Sequence, residues 1–493
     1  MEPIGTITSY FQFLDEETIA IVKSLTESAI NYMSFIDDLV EVVCHDDPSP
    51  ALRYFALIQS LTVFNYENLS KMRNIFDDDI AIEVLSFWSE RSGFTADGKS
   101  DFIRSIEEAI STQLEPWIAI VILLYAGSAS ILFPDFTIYL DKARVMIESN
   151  EKLQFFKGYL HLLQGNVLHQ EGNLEGAEQE FEDGFANSKE FNNLYLKARL
   201  LFRHGNNLKN RNTHVALEKL EEGYRLSLEL GDGEFAKVIL NSMGLVYTIL
   251  GEYDLALEAQ LGCLEGDDSE PSLTLSFVLA RTFCDLNRGK DALEWIQWGE
   301  SSLGDDWPSI SWHLAKAQSL TQLNRTDEAT SILDSIREKV LKSGSDVVMA
   351  DYYFVQGNYH MAINDIDLAF EYLEKSLEIY ETIGIEIFIN RCLLALTRAE
   401  IAQAARTKVG ADPESSGRWM SKLKTHAEKK NYPGIRMQHA LLKAEYQSIM
   451  DDYESSRETL VAALKIYESL SVKSLRKKIQ DRITEIDSSI TTI

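Results

Sequence analysis

Three asparagines carry the first chemical signal. Asn166, Asn206 and Asn358 each follow a glycine, in QGN, HGN and QGN. An Asn amide donates and accepts, so such side chains can hold a peptide backbone by paired bonds to its N–H and C=O. Asn is also a poor helix former, so propensity alone does not select it three times at one place, although a solvated helix face tolerates it. A second group is basic. Residues 193–211 (NLYLKARLLFRHGNNLKNR) hold Lys197, Arg199, Arg203, Lys209 and Arg211 and no Asp or Glu. The spacings of Arg199, Arg203, Asn206 and Asn210 put all four on one face of a helix. That face either receives an acidic side chain or C-terminal carboxylate by charge-assisted hydrogen bonds, or neutralises Glu175, Glu178 and Glu182 in the segment before it. Phe202, Phe277 and Phe354 each stand one helical turn before a small residue and offer a third kind of contact, burial of aromatic surface.

Signatures of catalysis are missing from the sequence. It has no phosphate-binding loop with Lys and Ser/Thr, no GxSxG, no HExxH and no calcium loop. Cys44-His45-Asp46-Asp47 has ligand-type residues, but four neighbours cannot all point at one ion, and Asp77-Asp78-Asp79 lacks the alternating oxygens and Gly turn of a calcium site. Cys44, Cys263, Cys284 and Cys392 form no CxxC pair. No catalytic residue, metal or cofactor is expected, and the chain reads as a non-enzyme.

The elements that position these residues repeat. Gly165 is followed twelve residues later by Ala177, Gly244 by Ala256, Ala280 by Ala292, Ala317 by Ala329 and Gly357 by Ala369. Between the members of each pair lies a polar turn: HQEGNLEGA, TILGEYDLA, CDLNRGKDA, TQLNRTDEA and MAINDIDLA. Apolar runs of helical period flank each turn, so every unit is helix, tight turn, helix. Two antiparallel helices cross closely only where small residues face each other, which explains the Gly and Ala. Gly205 reaches Ala216 one residue early, and Ala444 meets Ser456 where Ala is expected.

These residues resemble the tetratricopeptide repeat, most closely in GNVLHQEGNLEGAEQEF (165–181) and GLVYTILGEYDLALEA (244–259). The units are longer than the usual period of about 34 residues. They are similar to the longer-helix variety in sensor domains of bacterial regulators, kinesin light chains and polarity adaptors. The resemblance implies an all-α, right-handed superhelical solenoid of antiparallel helix pairs. It also implies that first helices line a concave groove for a peptide or partner helix.

The rest of the chain frames that array. Residues 1–112 are helical by pattern but of unassigned type, with TADGKS (95–100) as their best internal break. A degenerate repeat is expected in 113–150, the repeat array in 151–470, with a turn swollen by TKVGADPESSG (407–417), and a capping helix in 471–493. Trp117–Phe133 is 17 residues without a charge, but it holds Gly and Ser and is flanked by Glu115 and Asp135, so a buried helix is expected rather than a membrane span. The start of the sequence has no basic n-region, which points to the cytoplasm. The net charge of −30 argues against a nucleic-acid partner. Charge is nonetheless uneven, with 9 Lys+Arg against 24 Asp+Glu in residues 1–150 and 16 against 12 in 405–493. The expected function is a non-catalytic interaction scaffold or adaptor that binds a peptide or partner helix, an acidic segment among the candidates. A ligand-sensing regulator is the alternative.

Overall fold

The computed structural model describes residues 10–45, 116–128, 134–264, 271–303, 310–407, 417–466 and 473–492, with isolated positions between 46 and 115 and residue 7. The expected break at 95–100, the triple Asp at 77–79, Asp46, Asp47 and the swollen turn at 408–416 lie outside the described residues. Among the described residues the regular elements are helical.

The chain divides into two compact units, Met1–Lys209 with His214–Ile239, and Asn210–Thr213 with Leu240–Ile493. The first holds α1 (Glu16–Ser28), α2 (Tyr32–His45), α3 (Pro116–Ser128), α4 (Thr137–Ser149), α5 (Lys157–Gln170), α6 (Leu174–Glu190), α7 (Leu194–Leu208) and most of α8 (Thr213–Glu229). The division falls inside α9 (Gly233–Leu250). The second unit continues with α10 (Tyr253–Gly262), α11 (Leu273–Asp285), α12 (Gly289–Leu303), α13 (Ile310–Gln322), α14 (Thr326–Lys342), α15 (Asp346–Ala362) and α16 (Ile366–Ile383). It ends with α17 (Glu386–Thr407), α18 (Arg418–Lys430), α19 (Pro433–Ile449), α20 (Tyr453–Ile466) and α21 (Lys473–Thr492).

Sequence accounts for most of the described turns. The residue that reverses the chain there is left-handed, a Gly at 172, 231, 251, 344 and 384, an Asn at 192, 287, 324, 364 and 431, and Asp451 between α19 and α20. Only Gly enters that region freely, with Asn next best. The following amide then bonds back across the helix end, as in Glu252 N to Tyr247 O (2.9 Å), Arg288 N to Phe283 O (2.9 Å) and Asp365 N to His360 O (2.8 Å). These bonds satisfy carbonyls that a helix end would otherwise leave bare. Asn173, Asn193 and Asp365 then cap the next helix through their side chains.

The small residues lie where close crossing requires them. A Cβ on Gly165 would come 2.5 Å from Phe181, and one on Gly244 would come 3.2 Å from the Ala256 carbonyl. Ala177, Ala216, Ala256, Ala292, Ala329 and Ala369 are fully buried. Ser456 stands where Ala is expected and is buried with its hydroxyl donating to the Ala444 carbonyl at 2.7 Å. First helices also touch first helices of the next pair, α11 with α13, α13 with α15 and α17 with α19.

Within the first unit the N-terminal helices pack on the early repeats. Tyr10 meets Phe155 edge-on at 4.9 Å, Tyr32 lies 5.8 Å from Tyr195, and Met33 N bonds to Leu230 O at 3.1 Å. Helix α3 packs against α4, and its residues Trp117–Gly127 are buried. Among the described residues no helix is long and apolar enough to cross a membrane. Helix α21 packs on α20 and α19 through Ile479 and Ile486, at the end of the array.

Candidate functional site

The basic segment as far as Lys209 belongs to the first unit, and the four residues read as one face do not share it. Helix α7 ends at Leu208, so Lys209 and Asn210 stand in the turn and Asn210 leaves the face of Arg199, Arg203 and Asn206. The turn residues NRN before Thr213 end the helix earlier than the charge pattern suggested. Arg199 stacks over Phe235 at 3.6 Å and pairs with Asp232 at 3.2 Å, so its charge is matched inside the fold. Lys197 pairs with Glu222 at 2.6 Å. The acids paired with Arg199 and Lys197 thus come from the segments after α7, and Glu178 before it lies 3.7 Å from His204. Arg203 is exposed and lies over the Phe202 ring at 5.3 Å. Phe202 in turn packs edge-on against Phe235 at 5.3 Å.

The three asparagines differ. Asn166 is buried in α5. Asn206 and Asn358 each turn the amide back on their own helix, Nδ2 donating to Phe202 O at 3.1 Å and to Phe354 O at 2.9 Å. This bond uses one N–H of the Asn358 amide, and Asn358 lines a cavity of the second unit. Phe354 is buried beside Asn358, whereas Phe277 packs on Trp312 at 5.0 Å.

Asn358 and Phe354 belong to the groove of the second unit. A cavity of about 520 Å³ is lined by residues of α10, α11, α13, α15, α17, α19 and α21. A neighbouring cavity of about 540 Å³ shares Tyr253, Asp285, Asn287, Arg398, Gln438 and Lys478 with it, so the two form one groove. Gln318, Asn358 and Arg398 stand forty residues apart on successive first helices and all line it. Each follows a small or tightly buried residue, Ala317, Gly357 and Thr397. The same place on α11 holds Arg281. Sequence reading caught only Asn358 of this series because Gly precedes it. The signal for the others was the position after the small residue, whatever its type.

The groove is polar but ordered. Arg398 is exposed and has no ion-pair partner among the described residues. Gln438 is 8% exposed and lines the groove beside Tyr253. Arg391, two turns before Arg398, donates through Nε to Asp285 at 3.0 Å. Behind them Arg281 holds both oxygens of Asp351 at 3.0 and 3.1 Å, and Tyr380 donates to Asp351 at 2.7 Å. Burial pushes the Asp351 carboxyl up, but the Arg281 charge and these hydrogen bonds outweigh it and hold the group below its usual value. Asn390 reaches the Ile249 carbonyl at 2.8 Å, and the backbone at Gly251 approaches Ile435 so closely that a Cβ there would meet Ile435 N at 2.6 Å. Among the described residues no group of three or more His, Cys, Asp or Glu is placed to hold a metal.

Residues 350–383, the pair α15 and α16, match the family model described as tetratricopeptide repeat. Similar solved structures include a Rap protein complexed with competence and sporulation factor, at 12% identity over 76% of this chain and 98% of that one, TM-score 0.36. NprR in complex with its cognate peptide NprX is similar at 12% identity over 73% and 98%, TM-score 0.43. A phAimR–ligand structure is similar at 15% identity over 77% and 96%, TM-score 0.37. No curated protein sequence matches. Residues 350–383 thus match a tetratricopeptide repeat, and the helix pairs before and after them share its helix–turn–helix design.

Proposed function

We propose that the groove of the second unit binds an extended peptide and that the protein acts as a non-catalytic interaction module. The observation that carries this reading is the series Gln318, Asn358 and Arg398, at one place on three successive first helices and all facing one groove. Amides that donate and accept suit a peptide backbone, and the buried Phe354 and Leu394 give a side chain an apolar floor. The exposed Arg398 guanidinium, with Lys478 on the same wall, favours an acidic residue in the peptide. The expected acidic partner thus moves from the face of α7 to α17.

Fluorescence anisotropy against a library of labelled acidic and neutral peptides tests the reading. Arg398→Glu is expected to weaken an acidic binder by about tenfold or more, equivalent to about 1.4 kcal/mol. Arg203→Glu is expected to leave it unchanged. Equal affinity in wild type and Arg398→Glu, or loss on Arg203→Glu alone, sinks the assignment of the groove.

A sensor role rests on a different observation. Arg281–Asp351, Arg391–Asp285 and Asn390–Ile249 tie helices that are not neighbours in sequence, α11 to α15, α11 to α17 and α9 to α17. A ligand that enters among these ties alters the spacing of the helices they join. Hydrogen exchange of α11 and α17 with and without a bound peptide is expected to show changed protection in both, and protection confined to the contact residues argues for a passive scaffold.

A further inference from the structure

A second cavity, of about 290 Å³, lies among α18, α19 and α20, apart from the groove. Its polar lining is Lys424 and Glu428 from α18, Arg436, His439 and Lys443 from α19, and Thr459 from α20. Two lysines, an arginine and an imidazole thus meet one carboxylate, Lys424 and Glu428 exposed and the others half-buried, in a chain whose net charge is −30. Neither Lys424, Arg436 and Lys443 nor Glu428 forms an ion pair among the described residues. Most basic side chains in the repeats around them are paired, as Lys422 is with Glu381 and Lys430 with Glu386.

The arrangement is held from behind. Arg436 bonds to the last carbonyls of α18, Nε to Ala427 O at 3.3 Å and a terminal nitrogen to Glu428 O at 3.0 Å, which fixes the guanidinium at the cavity wall. His439 and Lys443 are one helical turn apart, and Arg436 is one turn before His439, so α19 presents all three on one face. Burial, and then the charges of Lys424 and Lys443, push the His439 imidazole down to about 4. It is therefore neutral at pH 7 and offers one N–H. Like charges gathered around a small cavity repel, and a counter-charge inside it relieves that repulsion.

We propose that this cavity is a binding site for a phosphate-type oxyanion, either free phosphate or the phosphoryl group of a small phosphomonoester. Lysine ammoniums supply charge and the guanidinium and imidazole supply directed donors on several sides, a pattern that fits a tetrahedral dianion better than a planar carboxylate.

Thermal unfolding of the full chain tests it, with inorganic phosphate, phosphoserine and sodium chloride compared at equal ionic strength. Phosphate or phosphoserine is expected to raise the Tm saturably, as binding to the folded state must, while chloride is not. Saturation by both names the free anion as sufficient, and saturation by phosphoserine alone names the phosphomonoester. Isothermal titration of Lys424→Met/Lys443→Met is expected to show affinity reduced about tenfold or more, whereas Arg398→Glu binds as wild type. The NMR signals of the His439 ring give a readout independent of any variant, and phosphate is expected to move them and raise their titration midpoint. Identical Tm responses to phosphate and chloride, unchanged affinity in the double variant, or His439 signals that ignore phosphate would each overturn the site. Because Arg398→Glu spares this response, its outcome is separate from that of the peptide groove.

Discussion

At the scale of single residues, burial and pairing decide which polar groups remain for a partner. Arg199 looked available in the sequence, but Phe235 and Asp232 take it. Arg398, preceded by Thr397 rather than Gly or Ala, was hidden by its context and is exposed in the groove. Arg203 is exposed too, so Arg203→Glu should leave the urea midpoint nearly unchanged, since solvated charges contribute little to stability. The buried partners behave differently. Asp351→Ala strips the bidentate partner from Arg281, whose side chain is only 14% exposed, and should cost about 3 to 5 kcal/mol in urea unfolding. The double variant Arg281→Met/Asp351→Leu should recover much of that loss, because no uncompensated charge stays buried. A double variant as unstable as Asp351→Ala would show that the pair is held by something other than its charges.

At the scale of the helix pair, two kinds of constraint separate cleanly. Ala256 is fully buried, and its carbonyl faces Gly244 where the two helices cross. Ala256→Leu should overpack that crossing by about 1 to 3 kcal/mol, with hydrogen exchange accelerated mainly in α9, α10 and α11, because each pair leans only on its neighbours. Gly384 is the opposite case. Nothing lies within 4 Å of a Cβ there, yet its φ is +77°. Gly384→Ala should therefore cost about 1 to 2 kcal/mol from backbone conformation alone, and Gly384→Asn should cost less, since Asn tolerates the left-handed region. Equal urea midpoints for wild type and Gly384→Ala would place the turn's preference elsewhere. The pairing of small residues and the Gly and Asn turns were legible in the sequence, because each depends on neighbours within a single helix pair.

At the scale of the whole molecule, acid should test the long-range ties. Asp351 is held below its usual pKa, and so is Glu386, where burial raises the carboxyl but hydrogen bonds and charge from His426 and Lys430 outweigh it. A depressed carboxyl contributes stability that is complete above its unfolded pKa and is lost as pH falls through the folded value. Denaturant midpoints should thus hold steady down to about pH 4 to 5 and fall below that. The fall should be shallower in Arg281→Met/Asp351→Leu. The sequence by itself determined the all-helical class, the repeat, the turns and the surplus of acid, since these follow from local period, propensity and composition. It also marked Asn358 and Phe354, which line the groove. Only the tertiary structure decided that Arg199 is neutralised, that Arg398 and Gln438 share a groove with Lys478, and that Asp285 meets Arg391. Such partners lie one to three helix pairs apart, and whether they meet depends on the small rotation each pair adds to the last, which no spacing within one repeat encodes.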